Sequence, residues 1–271
     1  MLLKKYLLII YWAYFAFKRT QIKKTNRMME LIDPYSYFMH ESIIDLSKAF
    51  SKDKIVLDVG SGGQWARNFF ETNSNKYLGC DVESSDYSGI QDFLVLDEIL
   101  PLESNSLDLI ISNSVLEHLK KPDAAIAEWY RVLKPGGCLF LQTNFLYQEH
   151  CSPDDYFRFS INGLRELLNR ENFEIKLSKK IGKRFTFSQQ LLLGWWISKL
   201  EIPLVKFFDQ NKFKKLVFLP ILFATWVLNL SVGFIICLVL IMQSLLGNLQ
   251  KFEKNSIYYT GVAAYAYKPL K

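Results

Sequence analysis

The stretch VLDVGSGGQW, Val56 to Trp65, sets an apolar run, an acid and three glycines inside ten residues. Glycines at this density permit a tight turn and a close approach of backbone to a phosphate, nucleotide or nucleoside. A Walker loop needs Lys and then Ser or Thr directly after its last glycine, and Gln64 and Trp65 stand there instead. The dinucleotide fingerprint fits Gly60 and Gly62 but places Trp65 at its third glycine, where close helix packing leaves no room for a side chain. What remains is Asp58-x-Gly60-x-Gly62. An acid two residues before the first glycine repels a pyrophosphate and can accept a hydrogen bond from a cationic or amine-bearing ligand. The turn is therefore read as serving a nucleoside that carries an ammonium group.

The elements that must position this turn follow it in order. KYLGCDV gives a strand from Lys76 to Cys80 ending at Asp81, ~20 residues on, where a nucleotide-binding α/β unit presents an acid to ribose hydroxyls. A third strand ends near Asp97, and a fourth, Leu107 to Ser112, leads into Asn113. Pro122 and Asp123 start a helix with Ala125, Ile126, Trp129, Val132 and Leu133 at helical spacing. Lys134-Pro135-Gly136-Gly137 ends it before a fifth strand, Cys138 to Asn144.

In these motifs the chain resembles the class I S-adenosylmethionine-dependent methyltransferases, of the type whose fourth-strand motif ends in Leu-Glu-His (methyltransferase type 11-like). The resemblance runs from about Ile55 to Lys180, and Gln64 stands where the family often has a third glycine. It implies S-adenosyl-L-methionine as cofactor, with Asp58, Gly60, Gly62 and Asp81 on the donor. It also implies Asp97, helped by Glu98, at the adenine amine, and Asn113 with Ser114 beside the methyl group. The expected fold is α/β: a Rossmann-like, mostly parallel seven-stranded sheet with helices on both faces. Its sixth strand is expected at Phe173 to Leu177 and an antiparallel seventh at Ile257 to Lys268, with an apolar helical insertion between them.

Beyond the fifth strand, YQEHCSPDDYFRFSINGLRELL carries Ser160 as a helix cap and Leu164, Leu167 and Leu168 on one helix face. Before the cap, His150, Asp154, Asp155, Tyr156 and Arg158 cluster in a loop beyond the carboxyl edge of the sheet. The cluster looks like a motif of methyltransferases found alongside sugar- and envelope-modifying enzymes, which makes Asp155, Tyr156 and Arg158 the acceptor candidates. A hydroxyl acceptor must lose its proton as it attacks the sulfonium methyl. His150 is the first candidate base and His118, just after the fourth strand, the second. Either imidazole can equally be structural.

Composition bounds the partners. Net charge is +6, and the basic residues cluster as KRTQIKK, KLSKKIGKR and KFKK beside apolar stretches rather than along a groove with interleaved aromatics. That favours an anionic membrane surface over nucleic acid. Cys80, Cys138, Cys151 and Cys237 show neither C-x-x-C nor a Cys/His ligand spacing, so neither a disulfide framework nor a metal site is expected. Hydrophobic content is 50% and mean hydropathy +0.05. The surplus lies in Tyr6 to Phe17 and in the uncharged run Leu216 to Gly247. The first run spans only ~18 Å as a helix and reads as an interfacial anchor. The second, followed by a strand that must return to the sheet, reads as a shallow membrane hairpin, with a double span or a soluble helix pair as the alternatives. The expected organisation is 1–27 anchor, 28–182 methyltransferase domain, 183–254 membrane-associated insertion and 255–271 final strand. The expected setting is the cytoplasmic face of a membrane, with an amphiphilic or lipid-linked acceptor. The leading function is methylation of a hydroxyl on a lipid-linked or envelope saccharide, with a quinone- or fatty-acid-type lipid methyltransferase as rival and an inactive membrane-tethered binding module as third. Sequence leaves the oligomeric state open.

Overall fold

The computed structural model describes residues 33–82, 91–95, 99–182 and 259–270. The chain divides into two units, and the described residues are essentially those of one, Tyr35–Gly182 with Tyr259–Lys271. The expected anchor and apolar insertion lie outside the described residues.

The elements are α1 (Pro34–Ala49), β1 (Ile55–Val59), α2 (Arg67–Glu71), β2 (Lys76–Asp81), β3 (Phe93–Leu94), β4 (Leu107–Asn113), a 3-10 turn (Leu116–His118), α3 (Pro122–Val132), β5 (Leu133–Asn144), α4 (Ile161–Arg170), β6 (Glu174–Ile181) and β7 (Gly261–Tyr267). They form one seven-stranded sheet in the order β3-β2-β1-β4-β5-β7-β6. Strands β1 to β5 pair in parallel, and β7 enters antiparallel between β5 and β6. The order reverses beside β1, so β1 and β4 diverge into helices on opposite faces. A crevice at their carboxyl ends is the usual ligand position in such a sheet.

Alternation along the strands builds two cores, because successive side chains point to opposite faces. Leu57, Ile110, Leu139 and Leu141 pack with Ile126 and Trp129 of α3 and with Leu164 and Leu168 of α4. Val56, Leu109, Ile111 and Phe140 pack with Ile43 and Leu46 of α1 and with Phe70 of α2. Near-continuous apolar strands such as LDLIISN are what a doubly covered parallel sheet requires. Helix α4 begins as expected: Ser160 Oγ accepts the Gly163 amide at 3.1 Å, while Leu164, Leu167 and Leu168 are buried.

Several elements differ from the sequence reading: β3 ends at Leu94 rather than near Asp97, and β7 begins at Gly261 rather than Ile257. Strand β5 begins at Leu133 rather than Cys138, because the Gly136 amide donates to Lys268 O and Gly137 O accepts the Lys268 amide. The Lys-Pro-Gly-Gly segment is thus held to Lys268, the residue that follows β7. Strand β6 runs to Ile181, four residues beyond the expected end, and carries Lys176, Lys179 and Lys180. Charges on an edge strand discourage pairing with another chain, so this basic cluster has a structural use. Helix α1 has no counterpart among the expected elements, because its inner face alternates Ile43 and Leu46 with the buried Ser42 and Ser47.

Candidate active site

The turn after β1 rests on two left-handed glycines, Gly60 at φ +67° and Gly62 at φ +47°. A Cβ at Gly60 would lie 2.3 Å from Val115 Cγ2, so the glycine is required by space as well as by conformation. The Ser61 amide donates to Cys80 O at 2.9 Å, tying the turn to the end of β2. From there Asp81 reaches back: Oδ2 accepts the Gly62 amide at 3.0 Å and Oδ1 accepts the Val82 amide at 2.8 Å. These two bonds orient the Asp81 carboxylate toward the turn.

Asp58 lies under the turn, 6% exposed, and accepts a hydrogen bond from the Tyr77 hydroxyl. Burial pushes its pKa up to about 7, Tyr77 opposes the rise and the Asp81 charge adds to it. Tyr77 is held in turn by Arg67, whose guanidinium carbon lies 4.8 Å from its ring centroid. Arg67 pairs with Asp92 at 2.6 Å, and Asp92 accepts the Gly79 amide at 2.7 Å. The acid expected to meet a ligand amine is therefore poised near neutrality by burial, the Tyr77 hydroxyl and the Asp81 charge, which sequence spacing does not reveal.

At the end of β4, Asn113 is half-buried and its Oδ1 has no hydrogen-bond partner, nor does the buried Ser61 Oγ, which lies against Gly79 of β2. Ser114 takes φ +55° and its Oγ lies 2.8 Å from the Tyr35 hydroxyl. Tyr35, from α1, also accepts Gln142 Nε2 on its carbonyl at 2.9 Å, and the sequence reading had no place for it. Burial first, and then the charge of Glu117, hold the Tyr35 phenol well above its ordinary pKa, so it stays a neutral hydrogen-bonding group. Asp97 and Glu98 lie outside the described residues.

The Leu-Glu-His turn joins this donor side to the acceptor loop. Glu117 is fully buried and accepts Thr143 Oγ1 at 2.7 Å and Asn144 Nδ2 at 2.6 Å from the end of β5. Its backbone carbonyl accepts the amides of Tyr156 and Phe157 at 2.9 and 3.1 Å. His118 Nδ1 lies 2.6 Å from Asp154 O. In the loop, Arg158 grips Asp155 with two bonds, at 2.5 and 2.7 Å, and Asp155 Oδ2 accepts the His150 amide at 2.8 Å. The Arg158 hydrogen bonds hold the Asp155 carboxyl well below the usual carboxylate range. Both partners expected to face an acceptor are thus spent largely on each other. Tyr156 is 39% exposed and donates to Asp154 Oδ1 at 2.6 Å.

The structure brings the two base candidates together. The rings of His118 and His150 stand edge to face with centroids 4.7 Å apart, and Tyr147 packs edge-on against His150 at 5.0 Å. His150 Nδ1 lies 3.2 Å from Gln148 O and 3.3 Å from Asp155 Oδ2. A ring nitrogen donating to these oxygens leaves Nε2 as the basic atom.

Residues 57–141 match the family model described as a methyltransferase domain. An uncharacterised methyltransferase of Mycobacteroides abscessus is 30% identical over 102 residues, covering 33% of this chain and 39% of that protein. A malonyl-acyl-carrier-protein O-methyltransferase of Yersinia pestis is 30% identical over 96 residues, covering 33% and 36%. A ubiquinone biosynthesis O-methyltransferase of Hahella chejuensis is 30% identical over 102 residues, covering 33% and 43%. The chain thus spans about four tenths of the length of these relatives. Among solved structures, phosphoethanolamine N-methyltransferase 2 of Haemonchus contortus, in complex with S-adenosyl-L-methionine, superposes with a TM-score of 0.51 over 93% of this chain and 60% of its own, at 15% identity. The cyclase SpnF gives 0.51 over 85% and 81%, at 19% identity. Residues 57–141 are thus similar to a methyltransferase domain, and the sheet has the fold of the class I methyltransferases.

Proposed function

We propose that the chain transfers a methyl group from S-adenosylmethionine to an oxygen of an amphiphilic acceptor, at the cytoplasmic face of a membrane. The observation that carries the donor half is the turn at Gly60–Gly62 with Asp81 oriented by the Gly62 amide and Asn113 Oδ1 unbonded at the end of β4. Unbonded buried polar atoms are costly, and a nucleoside with hydroxyls, an ammonium and a carboxylate can pair them. Bound there, the donor supplies an electrophilic methyl on a sulfonium. The acceptor oxygen attacks that carbon, the carbon–sulfur bond breaks onto sulfur, and the acceptor proton leaves to a base. His150 Nε2 is the proposed base, because Asp155 and Gln148 O orient the other nitrogen.

The amphiphilic acceptor rests on the uncharged run 216–247 and the basic clusters beside it, which lie mostly outside the described residues. Among the described residues no helix is long and apolar enough to cross a membrane. A hydroxyl on a lipid-linked or envelope saccharide is the reading of the acceptor loop. The malonyl-acyl-carrier and ubiquinone relatives favour a second one, an acyl or quinone acceptor.

Two measurements test the proposal. Titration of the purified protein with S-adenosylmethionine should show binding that Asp81→Ala weakens by roughly ten- to a hundredfold, since hydrogen bonds to charged groups contribute about 1.5–3 kcal/mol. Absence of binding, or preference for a dinucleotide, refutes the donor assignment. Incubation with methyl-labelled donor and membrane lipid extract should label an extractable amphiphile. His150→Ala should depress that turnover by ~100- to 10,000-fold with donor binding intact, as for a general base.

A further inference from the structure

Three residues from two separate segments, His118, His150 and Cys151, converge so that one ligand-capable atom of each lies within 4.8 Å of the others. Sequence spacing hides this, because His118 follows β4 while the other two sit in the loop after β5. We propose that they form a divalent transition-metal site of zinc type, with two imidazole nitrogens and one thiolate as ligands.

The surroundings carry the argument beyond proximity. A metal-ligating histidine almost always gives its second ring nitrogen to a carbonyl or carboxylate, which fixes tautomer and ring orientation. Both histidines have such partners: Asp154 O at 2.6 Å from Nδ1 of His118, and Gln148 O and Asp155 Oδ2 at 3.2 and 3.3 Å from Nδ1 of His150. Nε2 of each ring is left for the ion; with the ion in place His150 Nε2 no longer takes the acceptor proton, so this site and the base assignment above are alternatives for one atom. These partners are themselves fixed. Arg158 holds Asp155, whose side chain is 2% exposed, and the Glu117 carbonyl holds the backbone of Tyr156 and Phe157. Cys151 is exposed, so its thiol can lose a proton to an entering ion. Ligand atoms around a tetrahedral zinc stand roughly 3.5 Å apart given bonds of about 2.0–2.3 Å, so the three must close by roughly 1 Å, within the reach of side-chain rotation.

Softness selects the metal class. Two imidazoles and a thiolate suit zinc or cobalt(II) rather than magnesium or calcium, which take oxygen ligands. Three protein ligands are also the number at which catalytic zinc keeps a position for water or substrate. Among the described residues the cluster supplies no fourth ligand. The site lies at the junction of the Leu-Glu-His turn and the acceptor loop, so an acceptor oxygen can occupy that position.

The test needs neither donor nor acceptor, so its failure is separate from failure of the methyl-transfer reading. Metal-free full-length protein is titrated with cobalt(II) and followed by absorption. The expected result is one ion per chain, a thiolate-to-cobalt charge-transfer band, and visible bands of tetrahedral intensity. Cys151→Ser should abolish the charge-transfer band, and Cys237→Ser should retain it. His118→Gln and His150→Gln should each remove the tetrahedral bands. Zinc should displace the cobalt. A band absent from the unsubstituted protein, retained in Cys151→Ser, or lost in Cys237→Ser overturns the proposal. Circular dichroism of each variant distinguishes ligand loss from unfolding, and Cys151→Ser, an exchange of similar volume at an exposed position, is the variant on which the proposal stands or falls.

Discussion

At the level of single residues, Asp58 shows how a motif can name an amino acid and leave its state open. The sequence identifies an acid before two glycines, but the proton on that acid is decided by Tyr77, Asp81 and burial. A carboxyl with a pKa near 7, raised from 3.8, favours the folded state when protonated. Its contribution is therefore full below about pH 4 and is lost as pH rises through about 7, at up to about 1.4 kcal/mol per pH unit. Asp58→Asn should flatten this part of the stability curve, so chemical denaturation at pH 5 and pH 8 should differ less in the variant than in the parent. Tyr77→Phe should act oppositely: it strips a donor from a buried carboxylate, costs about 1–3 kcal/mol, and does so most above pH 7, where the carboxylate is ionised. The carboxylates held low, Asp108 by Lys134 and Glu128 by Arg131, contribute with the reverse sign and are lost as pH falls. Comparison with Asp58→Asn separates them from this group.

Elements inherit their precision from contacts that lie far apart in the chain. The turn after β1 and the segment leading into the Leu-Glu-His turn meet at Gly60 and Val115, so the two motifs form one structure. Gly60→Ala should cost about 1–2 kcal/mol for left-handed backbone plus the clash with Val115 Cγ2, and should abolish donor binding. Adding Val115→Ala relieves the clash alone, so thermal denaturation of the double variant should recover part of the loss and never all of it. The parallel strands were legible because burial on both faces writes long apolar runs, and β2 and β4 match their expected bounds to within a residue. Edge strand β6 was legible only in part, since its exposed lysines carry no periodic apolar signal. Tyr35 was illegible. Its partners Ser114 and Gln142 lie more than seventy residues away, and a helix with serines on its inner face gives no stripe to read. The His118–His150–Cys151 cluster escaped for the same reason, as ligand spacing is informative only when one segment supplies the ligands.

For the whole molecule, the decisive feature is where the described unit lets go of the chain and takes it back. Ile181, the last residue of β6, is the register partner of Gly261, the first of β7. Ile181 O accepts both the Thr260 amide, at 2.8 Å, and Thr260 Oγ1, at 3.1 Å. The two ends of the described sheet that flank residues 183–258 are therefore side by side. Antiparallel neighbours of this kind can be joined by a turn of a few residues, and lengthening or shortening such a connection changes closure entropy only slowly. Replacing 183–258 by a short glycine-serine linker, with Tyr259 kept for its stacking on Phe145 at 4.4 Å, should leave a protein that unfolds cooperatively and binds S-adenosylmethionine as the full chain does. Under the membrane reading proposed above, the full chain should stay with membranes through high-salt washing and be released by detergent. Burial of many Leu, Ile, Val and Phe side chains at about 1.5–3 kcal/mol each exceeds what screened basic flanks add. The linker variant, keeping residues 1–27 but lacking the long apolar run, should be released by salt. Retention of that variant through high salt would assign the anchor to the amino-terminal run. A linker variant that no longer folds would show that 183–258 supplies core to the sheet rather than a separable unit.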